Sequence, residues 1–219
     1  MGAFDGQLAL ITGATRGFGY AAAQALAAEG AEIIAVGRTS GALEELDDAI
    51  QAAGGKATLV PLDITDNDGL QRLCLSVHER WGGLDLWVHS AVHAAPLAPA
   101  GHIADKDLVK SVTINLTATQ QLISMIDPLL KAKNGTAVHL DDPRAGEKFF
   151  GAYGATKAAQ KALFDSWASE STSTGPLVRS FTPEPMPTAT RARFFPGENK
   201  DELNTTASQA ARFVDWLKD

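Results

Sequence analysis

Tyr153 and Lys157 stand four residues apart in the stretch TAVHLDDPRAGEKFFGAYGATKAAQKAL, residues 136–163. On a helix that spacing puts both side chains on one face, a turn apart. A phenol beside an ammonium can move protons, because the cation lowers the phenol pKa from its ordinary value of about 10. Just upstream, at the end of an apolar run, come two carboxylates, Asp141 and Asp142. A site that reduces a carbonyl wants a neutral hydrogen-bond donor there, and an ionised aspartate only accepts. The residues therefore leave three readings open: a working enzyme, an altered one, or a binding protein on an enzyme's fold.

A second constellation lies near the start, in LALITGATRGFGYAAAQALAAEG, residues 8–30. Gly13, Gly17 and Gly19 follow an apolar run and open an alanine-rich one, with spacing G-x-x-x-G-x-G. Such glycines let a chain turn tightly and bring backbone N–H groups and a helix N-terminus onto a pyrophosphate. The next apolar run ends AVGRTS. A dinucleotide fold reads the adenosine ribose there, with an acidic residue on a 2′-hydroxyl or an arginine on a 2′-phosphate. Here stand Arg38, Thr39 and Ser40, with Arg16 in the glycine turn, so NADP(H) is favoured over NAD(H). Asp63, after TLVPL, is placed to accept from the adenine amine. No residues are assigned to a metal.

These residues need elements to position them. Apolar runs near 8–12, 32–36, 57–62, 84–89, 135–140 and 177–182 predict six strands. Amphipathic segments near 17–29, 40–53, 66–81, 105–132, 153–171 and 206–218 predict helices. Asp66 and Asp105 are expected N-caps, and Gly30 and Gly54 helix stops. The alternation predicts an α/β fold, a doubly wound parallel sheet with helices on both faces, as a single domain over 1–219. Residues 183–204 carry four prolines and no clear period, which reads as a substrate lid loop. A formal net charge of −7 argues against nucleic acid as the main partner. The chain shows no basic segment followed by a leader-like apolar stretch and no run long enough for a membrane span. A lone cysteine, Cys74, excludes an internal disulfide, and the expected compartment is the cytoplasm.

With Thr12-Gly13-Ala14-Thr15-Arg16-Gly17-Phe18-Gly19, Asn115 and Tyr153-Gly154-Ala155-Thr156-Lys157, the chain resembles the short-chain dehydrogenase/reductase family, across nearly its whole length. The resemblance implies a Rossmann-like fold and hydride transfer between a nicotinamide and a small carbonyl or alcohol. It implies Tyr153 as general acid/base and Lys157 as the cation that lowers the Tyr153 pKa and holds the nicotinamide ribose. Asn115 matches the asparagine that holds a proton-relay water. Gly13, Thr15, Arg16, Gly17, Phe18, Gly19, Arg38, Thr39, Asp63, Ile64, Ser90 and Ala91, with Tyr153 and Lys157, match the cofactor-binding positions. The helices carrying Asn115 and Tyr153 imply a homodimer, through Leu108, Val112, Leu116 and Thr119 on one and Ala158, Lys161, Ala162 and Asp165 on the other.

The pattern breaks in four places. The family's serine, about thirteen residues before the tyrosine, would fall at Leu140, while the carboxylates follow it. Asp141 is taken as its nearest replacement and joins Tyr153, Lys157 and Asn115 in the expected catalytic set, with Asp142 second. An Asn-Asn-Ala-Gly-like end to the fourth strand is here His89-Ser90-Ala91-Val92, and His93 beyond it is a further candidate donor. Pro-Gly after the sixth strand is Pro183-Glu184, and the seventh strand is missing. Arg191, Arg193 and Arg212 suit either an acidic substrate or solvent. The leading expectation is an NADP-dependent oxidoreductase. Its rival is a weak or inactive NADP(H)-binding relative that acts as a binding or sensor protein.

Overall fold

The computed structural model describes residues 2–219. Six strands, β1 (Leu8–Thr12), β2 (Glu32–Gly37), β3 (Lys56–Pro61), β4 (Leu86–His89), β5 (Thr136–Leu140) and β6 (Leu177–Phe181), form one parallel sheet in the order β3-β2-β1-β4-β5-β6. The order reverses between β1 and β4, the switch point where such sheets bind ligands. Every residue of β1 and β4 is buried. A parallel sheet is covered on both faces, which is why these strands read as unbroken apolar runs.

Side chains alternate across the sheet. Ala9 and Ile11 of β1 join a core with Leu26 of α1 (Gly17–Ala28), Leu46 of α2 (Ser40–Ala52) and Phe213 of the terminal helix Thr206–Lys218. Leu8 and Leu10 face the other way. They join Leu70 of α3 (Asn67–Trp81), Ile126 of the helix Ala118–Lys131 and Phe164 of the helix Gly151–Glu170. The period of two thus builds a core on each face and leaves the strands' C-terminal ends as one edge. Thr12, His89 and His139 are level there, His89 paired with both of the others.

Asp66 caps α3 by accepting from Gly69 N, and Gly30 and Gly54 follow helix ends with positive φ. Asp105 corrects the expectation. Ala104 is the N-cap of α4 (Asp105–Ser111), and Asp105 lies in its first turn, where it favours the helix dipole. The single helix expected over 105–132 is α4, then a wide π-turn (Val112–Thr117), then α5 (Ala118–Lys131). Thr113 Oγ1 and Thr119 Oγ1 donate to the carbonyls of Val109 and Asn115, so side chains serve carbonyls that the turn leaves over. α6 (Gly151–Glu170) starts two residues before the expected start. Residues 183–204 are not all loop. They hold α7 (Ala189–Phe194), capped by Thr188 accepting from Arg191 N, and a 3-10 turn, Lys200–Glu202, before α8 (Thr206–Lys218). Among the described residues there is no seventh strand, and no helix is long and apolar enough to cross a membrane.

Candidate active site

The glycine turn joins β1 to α1 at the switch point. Gly13 has φ +81°, and a Cβ there would come 2.6 Å from Ala91 N, so only glycine lets the turn touch the end of β4. A Cβ on Gly19 would come 2.4 Å from Gly13 O, so this glycine lets α1 press onto the turn from below. Arg16 is the extended N-cap and caps nothing with its side chain, so backbone donors of the first turn are left for an anion. Phe18 goes into the core against Phe181 and Phe213.

Above the turn runs a cleft of about 730 Å³. Arg16, Gly17 and Thr15 line its floor. Arg38, Asp63 and Ile64 line one end, and Ser90, Ala91, Tyr153 and Lys157 line the part toward β4 and α6. Thr39 and Gly19 do not line it: Thr39 starts α2, and Gly19 lies behind the turn. Arg38 is mostly exposed and pairs loosely with Asp63, 3.5 Å away. Burial alone would raise the Asp63 pKa. Hydrogen bonds from Thr65 and the Arg38 cation outweigh it and hold the carboxyl below its ordinary range.

At the other end Tyr153 donates its hydroxyl to Asp142 Oδ2 at 2.8 Å. Arg144 Nε donates to Asp142 Oδ1 at 3.1 Å, and Arg144 Nη1 reaches Glu147. Asp142, rather than Asp141, is therefore the carboxylate on the tyrosine. Asp141 continues the sheet pairing, its N–H on Phe181 O, and lines the cleft without a hydrogen bond to Tyr153. Gly154 explains how Asp142 gets so close. A Cβ there would come 2.4 Å from Arg144 O, so the glycine lets the loop after β5 lie against α6. Tyr153 is 4% exposed, edge-on to Phe194 of α7 at 4.8 Å and near Phe150. Burial, then the Asp142 charge, push its pKa up. The resemblance implies a lowered phenol pKa; in this structure an anion and not a cation touches the hydroxyl, and the direction is upward.

Lys157 is also 4% exposed. Its Nζ donates to Leu140 O at 2.6 Å and to Gln160 Oε1, and lies 3.1 Å from His139 Nε2. Burial depresses its pKa to about 8, against the opposing pull of Asp141 and Asp142. The side chain of Asn115 clamps the chain after β4: Oδ1 accepts from His93 N at 2.7 Å and Nδ2 donates to His93 O and Thr156 Oγ1. Its carbonyl accepts from Thr119 and from Gln160 Nε2. The His93 ring lines the cleft, with a pKa lowered by burial and by the cations Lys110 and Arg193. Arg191 pairs with Glu198, Arg193 with Ala94 O, and Arg212 with Gln209 and Thr182 O, so none of the three is simply solvated.

Sequence reasoning missed the buried polar line behind the tyrosine. His89 Nδ1 meets Thr12 Oγ1 at 2.8 Å and His89 Nε2 meets Thr119 Oγ1 at 3.0 Å. Gln160 Nε2 donates to the same Thr119 oxygen, and His139 Nε2 lies 3.0 Å from Gln160 Oε1. The signal was there: a histidine in each of two apolar strands, WVH and TAVHL, and a glutamine on the inward face of α6 with Tyr153, Lys157 and Phe164.

The doubly wound sheet, glycine turn and Tyr-x-x-x-Lys helix define a Rossmann-like protein of the nucleotide-dependent oxidoreductase kind. The family described as short chain dehydrogenase matches residues 7–199, and the chain belongs to it. It is 28% identical over 221 residues to the 3beta-hydroxysteroid dehydrogenase of Mediterraneibacter gnavus, a match that covers all of this chain and 79% of the relative. The serine 3-dehydrogenase of Agrobacterium fabrum is 34% identical over 68% of this chain, and the fatty acyl-CoA reductase of Acinetobacter baylyi 31% identical over 72%. The chain spans little more than half of those two relatives, 59% and 55%. Among solved structures, a Shigella flexneri short chain dehydrogenase in complex with NADP superposes with a TM-score of 0.92 at 27% identity, over 98% of this chain and 92% of that one. An NAD+-bound xylitol dehydrogenase has TM-score 0.89 at 22% identity, over 99% and 94%, and shows the fold alone.

Proposed function

We propose that the chain is an oxidoreductase that uses NADP(H) in preference to NAD(H) on a small carbonyl compound or alcohol, with Tyr153 as proton donor and acceptor. The observation that carries the reading is one continuous cleft from the glycine turn and Arg38 to Tyr153 and Lys157. The phosphate end fits a dinucleotide: Gly17 has φ +60°, and a Cβ there would meet across the cleft only Thr188, at 3.3 Å. Gly13, Thr15, Arg16 and Gly17 would hold the pyrophosphate, Arg38 a 2′-phosphate, and Asp63 and Ile64 the adenine. The NADP-bound relative supports the cofactor class. When bound, the nicotinamide supplies or takes the hydride.

The chain's own residues handle the proton. Tyr153 Oη carries it at the reacting oxygen, and Asp142, steadied by Arg144, fixes the direction of the hydroxyl. An anion there opposes formation of the phenolate, so the resting site is slow until the hydroxyl turns from Asp142 to substrate. Asn115 holds the chain after β4 in place. Residues 183–204, with α7 and Phe194 over Tyr153, serve as the lid. The exposed apolar side chains of α4 support a homodimer. The lone, half-buried Cys74, its thiol pushed up to about 11 by burial, suits the reducing cytoplasm.

One observation favours the rival reading, an NADP(H)-binding protein that turns over nothing. The Tyr153 hydroxyl is committed to an anion, and the Lys157 ammonium is engaged by groups of the protein itself. Absorbance of NADPH over a panel of carbonyl compounds separates the two, with Tyr153→Phe as the floor. A parent no faster than that variant establishes the binding protein. Titration calorimetry tests the cofactor: Arg38→Asp weakens NADP(H) far more than NAD(H), and tighter NAD(H) binding to the parent sinks the preference.

A further inference from the structure

We propose that Gln160 is a positioning residue for Lys157: its buried amide joins the lysine ammonium to the main-chain carbonyl of Asn115 entirely within the protein, and with His139 it governs the charge on the lysine. The inference rests on the oxidoreductase reading for its catalytic meaning. Its structural content stands on the contacts alone.

Gln160 is 1% exposed, and both ends of its amide are satisfied. Nε2 donates to Asn115 O at 3.0 Å and to Thr119 Oγ1 at 2.9 Å. Two acceptors at that end fix the orientation, so Oε1 must face Lys157 and His139. Thr119 gives its proton to Asn115 O, so its oxygen accepts from Gln160 and from His89. His89 is then protonated on Nε2 and accepts from Thr12 on Nδ1. The network closes with His89 neutral, and burial and the Lys157 charge hold its pKa down at about 3.

The link between charge and geometry lies at His139. A charged Lys157 has three N–H donors, which Leu140 O, Gln160 Oε1 and His139 Nε2 can take. With its proton on Nδ1 toward Ser180, His139 accepts on Nε2 from the charged lysine; with its proton on Nε2 it donates to Gln160 Oε1, and Leu140 O and Gln160 Oε1 still take two of the lysine's donors. A neutral Lys157 can accept from His139 Nε2. In each case the glutamine stays fixed by Asn115 O and Thr119 Oγ1. The charged and titratable groups around this ammonium are His139 from β5, His89 from β4, and Asp141 and Asp142 from the loop after β5, with Lys161 of α6 acting on His139. Gln160 Oε1, with Leu140 O, is a neutral acceptor that favours the cation, so removal of the amide and its replacement by an anion act in opposite directions.

Lysine labelled with 13C at Cε is followed by NMR through a pH titration of the full chain without nucleotide, Lys157 being assigned by loss of its signal in Lys157→Met. Gln160→Met fills a similar volume without the amide and lowers the Lys157 midpoint. Gln160→Glu raises it by about 1–3 pH units, the effect of an adjacent opposite charge. Circular dichroism of each variant reports folding, and either variant alone decides the matter if the other does not fold. Unmoved midpoints, or midpoints moved the same way, overturn the inference. NADPH-dependent reduction is read on the same proteins. Gln160→Met loses roughly 10- to 100-fold in kcat with KM nearly kept, as a displaced catalytic group does, and its pH profile moves with the NMR midpoint. If the parent reduces carbonyls while the midpoints stand still, the inference fails and the oxidoreductase reading survives. If the midpoints move oppositely and the parent reduces nothing, the reading fails and the hold of Gln160 on Lys157 stands.

Discussion

Asp142 decides how the tyrosine behaves. It accepts a hydrogen bond from the Tyr153 hydroxyl in the resting site, where a carbonyl reductase would want a donor toward substrate. Asp142→Asn keeps the shape and provides an N–H. Carbonyl reduction should rise, by up to about 10²-fold if one donor to the developing oxyanion is restored. Asp142→Ser should rise less, because its shorter side chain lies farther from the hydroxyl. Asp141→Ser should change the rate far less than either. NADPH oxidation under saturating substrate measures all three, and a rise in the Asp141 variant with none at Asp142 would reverse the assignment. Tyr153, Lys157 and the glycines were legible in the sequence because fixed spacings on a helix and a turn carry them. Asp142 was legible only as the second choice behind Asp141, because a count of thirteen residues back from the tyrosine assumes a loop length this chain does not keep. Gln160 and His139 were missed for another reason: the partners that satisfy them are far apart in sequence, so only the closed network distinguishes them from isolated polar residues in apolar segments.

At the scale of elements, the six strands were legible because the central ones are buried on both faces, as β1 and β4 are throughout, while the edge strands β3 and β6, only partly buried, still hold short apolar runs. The helix over 105–132 hides a π-turn, because one extra residue in a turn hardly alters an apolar period while it frees carbonyls for Thr119 and Gln160. α7 was illegible because six residues are too few to show a period and too few to be stable alone. What holds it is tertiary: Phe194 buried against Phe150 and Tyr153, Arg191 on Glu198, Arg193 on Ala94 O, and the Thr188 cap. Thr188→Ala removes the cap, which costs about 1 kcal/mol, or roughly fivefold in local opening. Amide hydrogen exchange at Arg191 and Ala192 should quicken by that factor while exchange in β1 and β4 stays put. Equal acceleration in the sheet would mean that α7 opens only with the whole molecule and cannot act as a lid.

For the whole molecule, the exposed apolar side chains and the buried histidines lead to separate expectations. Leu108, Val109 and Val112 are exposed on α4 and the turn after it, beside Ala158 and Ala162 of α6, whereas Thr119 is buried on His89 and cannot belong to such a face. Light scattering should give twice the 23.0 kDa chain mass, and Val109→Glu should return it to one chain. A parent that is monomeric at micromolar concentration removes the dimer. The interior sets the response to pH. His89 and His139 have pKa values depressed to about 3 and about 2 by burial and by the Lys157 charge, against an ordinary 6.5. Both are neutral in the folded chain at pH 5, while the unfolded chain has taken up both protons. Where the unfolded state binds more protons, stability falls as pH falls, so the loss begins below 6.5 and ends only below the folded values. From pH 7 to 5 the two histidines together should remove about 4 kcal/mol. Lys157, depressed from 10.5 to about 8, acts at the other end: stability rises from pH 8 toward 10.5, as the folded chain sheds a proton that the unfolded chain keeps. Urea unfolding at pH 7 and pH 5 checks the acid side, comparing the parent with His89→Asn/His139→Asn. The double variant begins less stable but should lose less between the two pH values, by about that same 4 kcal/mol, and each single variant about half. Equal losses in parent and double variant would mean that the histidines titrate normally and that the buried network behind Tyr153 is not closed as described.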